Sequence, residues 1–113
     1  MKVKIKIWLE DEEEKMVFGD GKANLLLKID ELGSISKAAL ACGLDYKKAW
    51  NHINVLENNI KENIIIRKKG GRDGGGSELT LKGRELVSAY KKLREVMNKE
   101  CQKYFEKIFD VNF

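Results

Sequence analysis

Residues 33–57 read GSISKAALACGLDYKKAWNHINVLE. Two helical patterns lie in this stretch, separated by a glycine. Ser34 or Ser36 offers a hydroxyl that can accept from the free N–H groups of a first helical turn. The helix that follows, SKAALAC, ends near Gly43. Ala38, Ala39 and Ala41 leave it without bulk, so a neighbouring helix can approach closely. Gly43 permits the tight turn that comes next. Asp45 stands where a cap is needed for a further helix, YKKAWNHINVLENN, over residues 46–59. In that helix Ala49, Ile53 and Leu56 fall on one stripe and face a core.

The outer face of the same helix follows from about 100° of rotation per residue. Opposite the apolar stripe lie Lys47, Asn51, Asn54 and Asn58, with Lys48 and Trp50 on the flanks. Asparagine carries a donor and an acceptor and can pair bidentately with adenine, and lysine reaches guanine acceptors or phosphates. The stripe contains no carboxylate, whereas an ordinary solvated face mixes Glu with Lys. Tyr46 and Trp50 are either core residues or walls that pack against sugar and phosphate. His52 reads as a structural or surface residue, because no nucleophile or second ligand lies near it in sequence.

Outward from this stretch, the chain organises around it. Val3, Ile5, Ile7 and Leu9 alternate with Lys4, Lys6 and Trp8, which predicts a half-buried strand. The acidic run Glu10–Glu14 reads as an exposed turn and Lys15–Phe18 as a return strand. Leu25, Leu26, Ile29 and Leu32 recur at helical spacing before Gly33 stops the pattern. Beyond the 46–59 helix come Ile64-Ile65-Ile66, Arg67-Lys68-Lys69, the loop GGRDGGGS (70–77) and a short strand, Glu78–Leu81. Thr80 can cap a long helix reaching roughly Phe109, with Leu86, Tyr90, Leu93, Met97, Cys101, Tyr104 and Ile108 three or four residues apart. No proline, repeat or linker divides the chain. One domain is expected: a hairpin over 1–18, three helices over 20–59, a wing over 64–81 and a long helix over 82–109. That order describes a mostly α fold with small β content, a winged helix-turn-helix whose third helix enters a DNA major groove.

Charge fits either a polyanion-facing patch or a solvated surface that is rich in lysine. The 113 residues carry a net charge of +4. Residues 1–33 hold 6 positive and 8 negative charges, residues 34–72 hold 8 and 3, and residues 73–113 hold 8 and 7. The basic excess sits in the middle third. Cys42, Cys101 and His52 are too few for a four-ligand zinc site, so no metal and no cofactor are expected. No apolar run reaches the roughly 20 residues that cross a membrane, and the N-terminus lacks a signal-peptide pattern, so the cytoplasm is the expected location. An enzyme with a nucleotide loop is disfavoured. Gly71 and Gly76 have the Walker spacing, but Ser77 stands where the phosphate-binding lysine is required. A dinucleotide loop should open a helix, and this one lies between strands.

The stretches GSISKAALACGLDYKKAWNHINVLE and IIIRKKGGRDGGGSELTLKGREL resemble the DNA-binding domain of ModE-type molybdate-responsive regulators, as does the hairpin before the first helix. The elements that carry the likeness are Gly33-Ser34-Ile35-Ser36, Ala38-Ala39, Tyr46-Lys47 with Ala49-Trp50, Ile53-Asn54, the glycine loop, and Leu79-Thr80 with Gly83. The likeness covers almost the whole chain, and its helix-turn-helix part is shared with LysR-type regulators. Asp45 departs from the Ser or Thr more common there; it is equivalent as a cap, but its charge sits poorly against a phosphate. Family members carry a C-terminal molybdate-binding region after the long helix, and none is expected within these 113 residues.

The resemblance implies a sequence-specific transcriptional regulator that binds a pseudo-palindromic operator as a homodimer. The residues expected to meet duplex DNA are Ser34, Ser36, Tyr46, Lys47, Lys48, Trp50, Asn51, Asn54, Arg67, Lys68, Lys69 and Arg72. The glycine loop is the expected wing, contacting phosphates for position rather than sequence. The last helix is expected to dimerise. Its roughly 40 Å length exceeds what a small winged domain covers, and Tyr104, Phe105, Ile108 and Phe109 lie near its far end. The alternative is a winged helix that binds another protein without specific DNA binding.

Overall fold

The structure is a computed structural model that describes residues 1–68 and 76–109. Its order is β1 (Leu9–Glu10), β2 (Met16–Phe18), α1 (Asp20–Leu32), α2 (Ile35–Ala41), α3 (Tyr46–Ile60), β3 (Ile65–Lys68), β4 (Gly76–Leu79) and α4 (Leu81–Ile108). The mostly helical fold with an N-terminal hairpin, a wing and a long last helix is the one the sequence predicts.

Helix boundaries follow local chemistry. Gly33 ends α1 at φ +70°, and its N–H returns to the Ile29 carbonyl. This is the left-handed stop that glycine adopts without strain. Of the two candidate serines, Ser34 caps α2 by accepting from the Lys37 N–H at 3.2 Å, while Ser36 lies within the helix. Thr80 starts α4: its hydroxyl accepts from the Gly83 N–H at 3.1 Å and donates to the Asn63 carbonyl at 2.7 Å. The Thr80 N–H also reaches the Ile64 carbonyl at 2.8 Å, so one residue joins β3, β4 and α4.

The core lies where α1, α2 and α3 meet the hairpin, the wing strands and the first turns of α4. Phe18, Leu25, Leu26, Ile29, Ile53 and Ile64 are its largest fully buried side chains. Phe18 packs edge-to-face on Tyr90, with centroids 5.2 Å apart. The Tyr90 hydroxyl lies 2.6 Å from Asp20 Oδ1 and 2.8 Å from the Ile7 carbonyl. Burial and then the Asp20 carboxylate push the Tyr90 phenol up to about 12. Arg94 completes this tie by donating to Asp20 at 2.8 Å.

Three expectations need correction. The strand predicted over Val3–Leu9 is paired only at Leu9–Glu10, opposite Phe18 and Met16. A strand is no longer than its partner: α1 begins at Asp20, β2 therefore ends at Phe18, and among the described residues no strand pairs with residues 3–8. The return strand expected at Glu78–Leu81 lies at Gly76–Leu79, because Thr80 and Leu81 are taken by the cap and first turn of α4. Leu32, which shares the helical spacing of the buried Leu25, Leu26 and Ile29, is exposed at the helix end.

Candidate nucleic-acid interface

The helix-turn-helix junction is built from backbone bonds around small residues. Ala38, Ala39 and Ala49 are buried where α2 meets α3. Gly43 takes φ +69° in the turn, and the Leu44 N–H returns to the Ala39 carbonyl at 2.9 Å. Asp45 then caps α3, its carboxylate accepting from the Lys48 N–H at 2.8 Å. With Ala49, Ile53 and Leu56 held in the core, rotation about α3 is fixed.

That rotation leaves Lys47, Asn51, Asn54 and Asn58 exposed. Asp45, Lys47, Lys48, Trp50, Asn51 and Asn54 line a shallow groove of about 510 Å³. Among the described residues, Lys47, Asn51 and Asn54 make no side-chain hydrogen bond, so their donors and acceptors are open to a ligand. The Asp45 carboxylate is the one acid on this wall; its cap bond to Lys48 draws part of its charge into the helix start.

The wing root meets the same face. In β3, Ile65 is buried and Ile66 exposed. Strand alternation returns Arg67 to the side of Ile65, one step beyond the edge of the core. There its guanidinium lies over the Trp50 ring, 3.7 Å from the centroid, within the range of a cation–π contact. Tyr46 approaches the same indole edge-on at 6.2 Å. Trp50 is therefore half-buried against the core and also a platform for Arg67; Tyr46 is exposed. The opposite wing strand is docked as well: the Ser77 N–H donates to the Gly33 carbonyl at 2.9 Å. A side chain at Gly76 would bring its Cβ within 3.0 Å of that oxygen.

Of the residues predicted to meet DNA, Lys47, Lys48, Trp50, Asn51 and Asn54 share the α3 groove, with Tyr46 against Trp50 and Arg67 stacked beside it. Ser34 and Ser36 lie at the start of α2. Lys68 pairs through its backbone with Gly76 in the wing ladder. Lys69 and Arg72, and the loop over 70–75, lie outside the described residues. His52 sits on another side of α3, half-buried, with burial, Lys22 and Lys48 holding its imidazole below the usual range. Sequence reasoning placed Arg67 among the residues that meet DNA and missed its contact with Trp50. The alternation of Ile65, Ile66 and Arg67 is the signal that points to it.

Comparison with known proteins agrees with this geometry. The profile of the bacterial regulatory helix-turn-helix proteins of the lysR family matches residues 22–84. "Molybdenum transport protein ModE" of Azotobacter vinelandii is 34% identical over 101 residues, which are 89% of this chain and 37% of that protein. "DNA-binding transcriptional dual regulator ModE" of Escherichia coli K12 is 36% identical over 88 residues, 77% of this chain and 33% of that protein. The chain thus spans about a third of the length of the curated relatives it matches. Among solved structures, the DNA-binding domain of CbnR, crystallised with DNA, superposes with a TM-score of 0.56 at 15% identity over 78% of this chain and 95% of that one. At that identity the likeness speaks for the fold. The chain belongs to the lysR family of bacterial regulatory helix-turn-helix proteins, DNA-binding transcription regulators rather than enzymes, and is homologous to the N-terminal region of ModE.

Proposed function

We propose that residues 1–113 act as one domain that binds a pseudo-palindromic operator as a homodimer, within the cytoplasm. The observation that carries this reading is the α3 face: Lys47, Asn51 and Asn54 are exposed in one groove and unpaired among the described residues. This face enters the major groove and reads base edges. Arg67 and Lys68, with Lys69 and Arg72 beyond them, meet phosphates. Ser34, Ser36, Tyr46, Lys48 and Trp50 border the groove wall.

The dimer reading rests on α4. Its 28 residues extend about 42 Å, yet only Gly83, Val87 and Tyr90 are buried. Leu93, Val96, Met97, Tyr104, Ile108 and Phe109 are exposed, and Phe105 stacks on Phe109 at 4.9 Å. An apolar face of this length is covered by a second copy of the same helix, which sets two α3 helices on one side of a two-fold axis.

The test is selection of bound fragments from genomic DNA, followed by anisotropy titration across salt. Affinity should fall steeply between about 50 and 200 mM salt as counterions are released. Asn51→Ala should relax base preference at one position by about 1–3 kcal/mol. Absence of duplex binding at low salt refutes the reading, and a monomer by sedimentation in the presence of operator refutes the dimer.

A further inference from the structure

A second concavity lies away from the α3 groove. It has a volume of about 300 Å³ and is enclosed by the N-terminal hairpin, the start of α1, the α2–α3 turn and one residue of α3. Trp8, Met16 and Leu44 give it apolar walls, and Lys6, Lys22 and His52 give it cationic or donor groups. Lys22 Nζ donates to the carbonyls of Met16 at 3.3 Å and Val17 at 3.2 Å, and has one N–H left. Among the described residues, neither Lys22 nor His52 has a carboxylate partner. The carboxylate at the rim, Asp20, is engaged by the Tyr90 hydroxyl and by Arg94. Burial draws the Lys22 ammonium below its usual range. The pocket therefore holds two lysines next to an aromatic wall: Lys6 is offset in part by the Asp20 carboxylate, whereas Lys22 has no carboxylate partner among the described residues.

We propose that this pocket binds a small organic carboxylate with a compact apolar body. The carboxylate sits against Lys22 and His52, with Lys6 above it, and the body lies between Trp8, Met16 and Leu44. The volume lies at the lower end of the range for small-molecule sites. Because its walls come from the hairpin and from both sides of the helix-turn-helix turn, an occupant braces α3 from the side opposite DNA. Only this regulatory consequence rests on the DNA-binding reading; the site itself does not.

The experiment is a ¹H–¹⁵N titration of the whole chain with isovalerate, benzoate and indole-3-acetate, with benzamide as a neutral control of benzoate's shape. At least one carboxylate should shift the amides of Gly21, Asn24, Leu44 and His52 saturably below about 10 mM. Benzamide and the Lys22→Met variant should each weaken binding at least about tenfold, with the rest of the spectrum unchanged. If Lys22→Met disturbs the spectrum broadly, His52→Gln takes its place and should weaken binding in the same way. No saturable shift with any of the three overturns the proposal. So does equal binding of benzamide, or shifts confined to Lys47, Asn51 and Asn54, which mean an anion on the DNA face. Operator affinity measured without ligand judges the DNA reading separately.

Discussion

Replacing Trp50 tests how the wing is held against α3. The Arg67 guanidinium lies 3.7 Å from the Trp50 ring centroid. Such a contact stabilises by about 0.5–1 kcal/mol when exposed and about 2 kcal/mol when desolvated. Trp50 is half-buried and Arg67 exposed, so about 1 kcal/mol is the working figure, roughly a fivefold change in an equilibrium. Trp50→Leu removes the aromatic face and keeps an apolar side chain. Arg67→Met removes the charge and keeps the stem. In urea denaturation of the two singles and the double, the coupling should be about 1 kcal/mol. The salt dependence of DNA binding is the sharper assay. Arg67→Met should lower the slope by about one phosphate contact. Trp50→Leu leaves formal charge unchanged, yet should lower the slope nearly as much, because Arg67 loses the platform that places it. The double variant should fall no further than either single. A wild-type slope for Trp50→Leu, with coupling below about 0.3 kcal/mol, refutes the reasoning.

Three further outcomes follow from the packing. A Cβ at Gly83 would stand 2.7 Å from the Ile64 carbonyl oxygen, so Gly83→Ala should destabilise by about 1–3 kcal/mol in urea denaturation, despite a helix-propensity gain of about 1 kcal/mol. Asp45→Ser should keep the cap bond now made to Lys48 and tighten DNA binding by removing a negative charge from the groove wall, while Asp45→Ala should lose about 1 kcal/mol of stability. Asp30 is held below its ordinary 3.8 by the Arg84 guanidinium and then by the Leu79 N–H. Its contribution is therefore present above that value and lost as pH falls through the lowered folded pKa. Asp30→Asn should flatten the fall in melting temperature below about pH 4.

How far the fold was legible depended on whether its cause was local. Gly33, Asp45 and Thr80 act within one turn of helix, so their roles could be read from neighbouring residues. The inward stripe of Ala49, Ile53 and Leu56 was legible for the same reason, since helical periodicity alone places it. Residues 3–8 misled because alternation reports a capacity to pair, whereas pairing needs a partner, and β2 supplies only three residues. The α3 face was read from spacing. The Arg67–Trp50 stack was not, because it joins residues 17 positions apart whose meeting depends on where β3 crosses α3. The pocket beneath the hairpin was likewise hidden, since its walls come from four separated segments.

The joint at Thr80 gives α4 the mechanics of a lever. Its backbone N–H and its hydroxyl bind Ile64, Asn63 and Gly83 at once, so the helix cannot swivel without carrying the wing strands with it. Over an arm of about 42 Å, a displacement of about 4 Å at the far tip becomes a tilt of only about 5° at the fulcrum. Whatever pulls on the distal end of α4 is thus geared down into a fine angular adjustment of the wing.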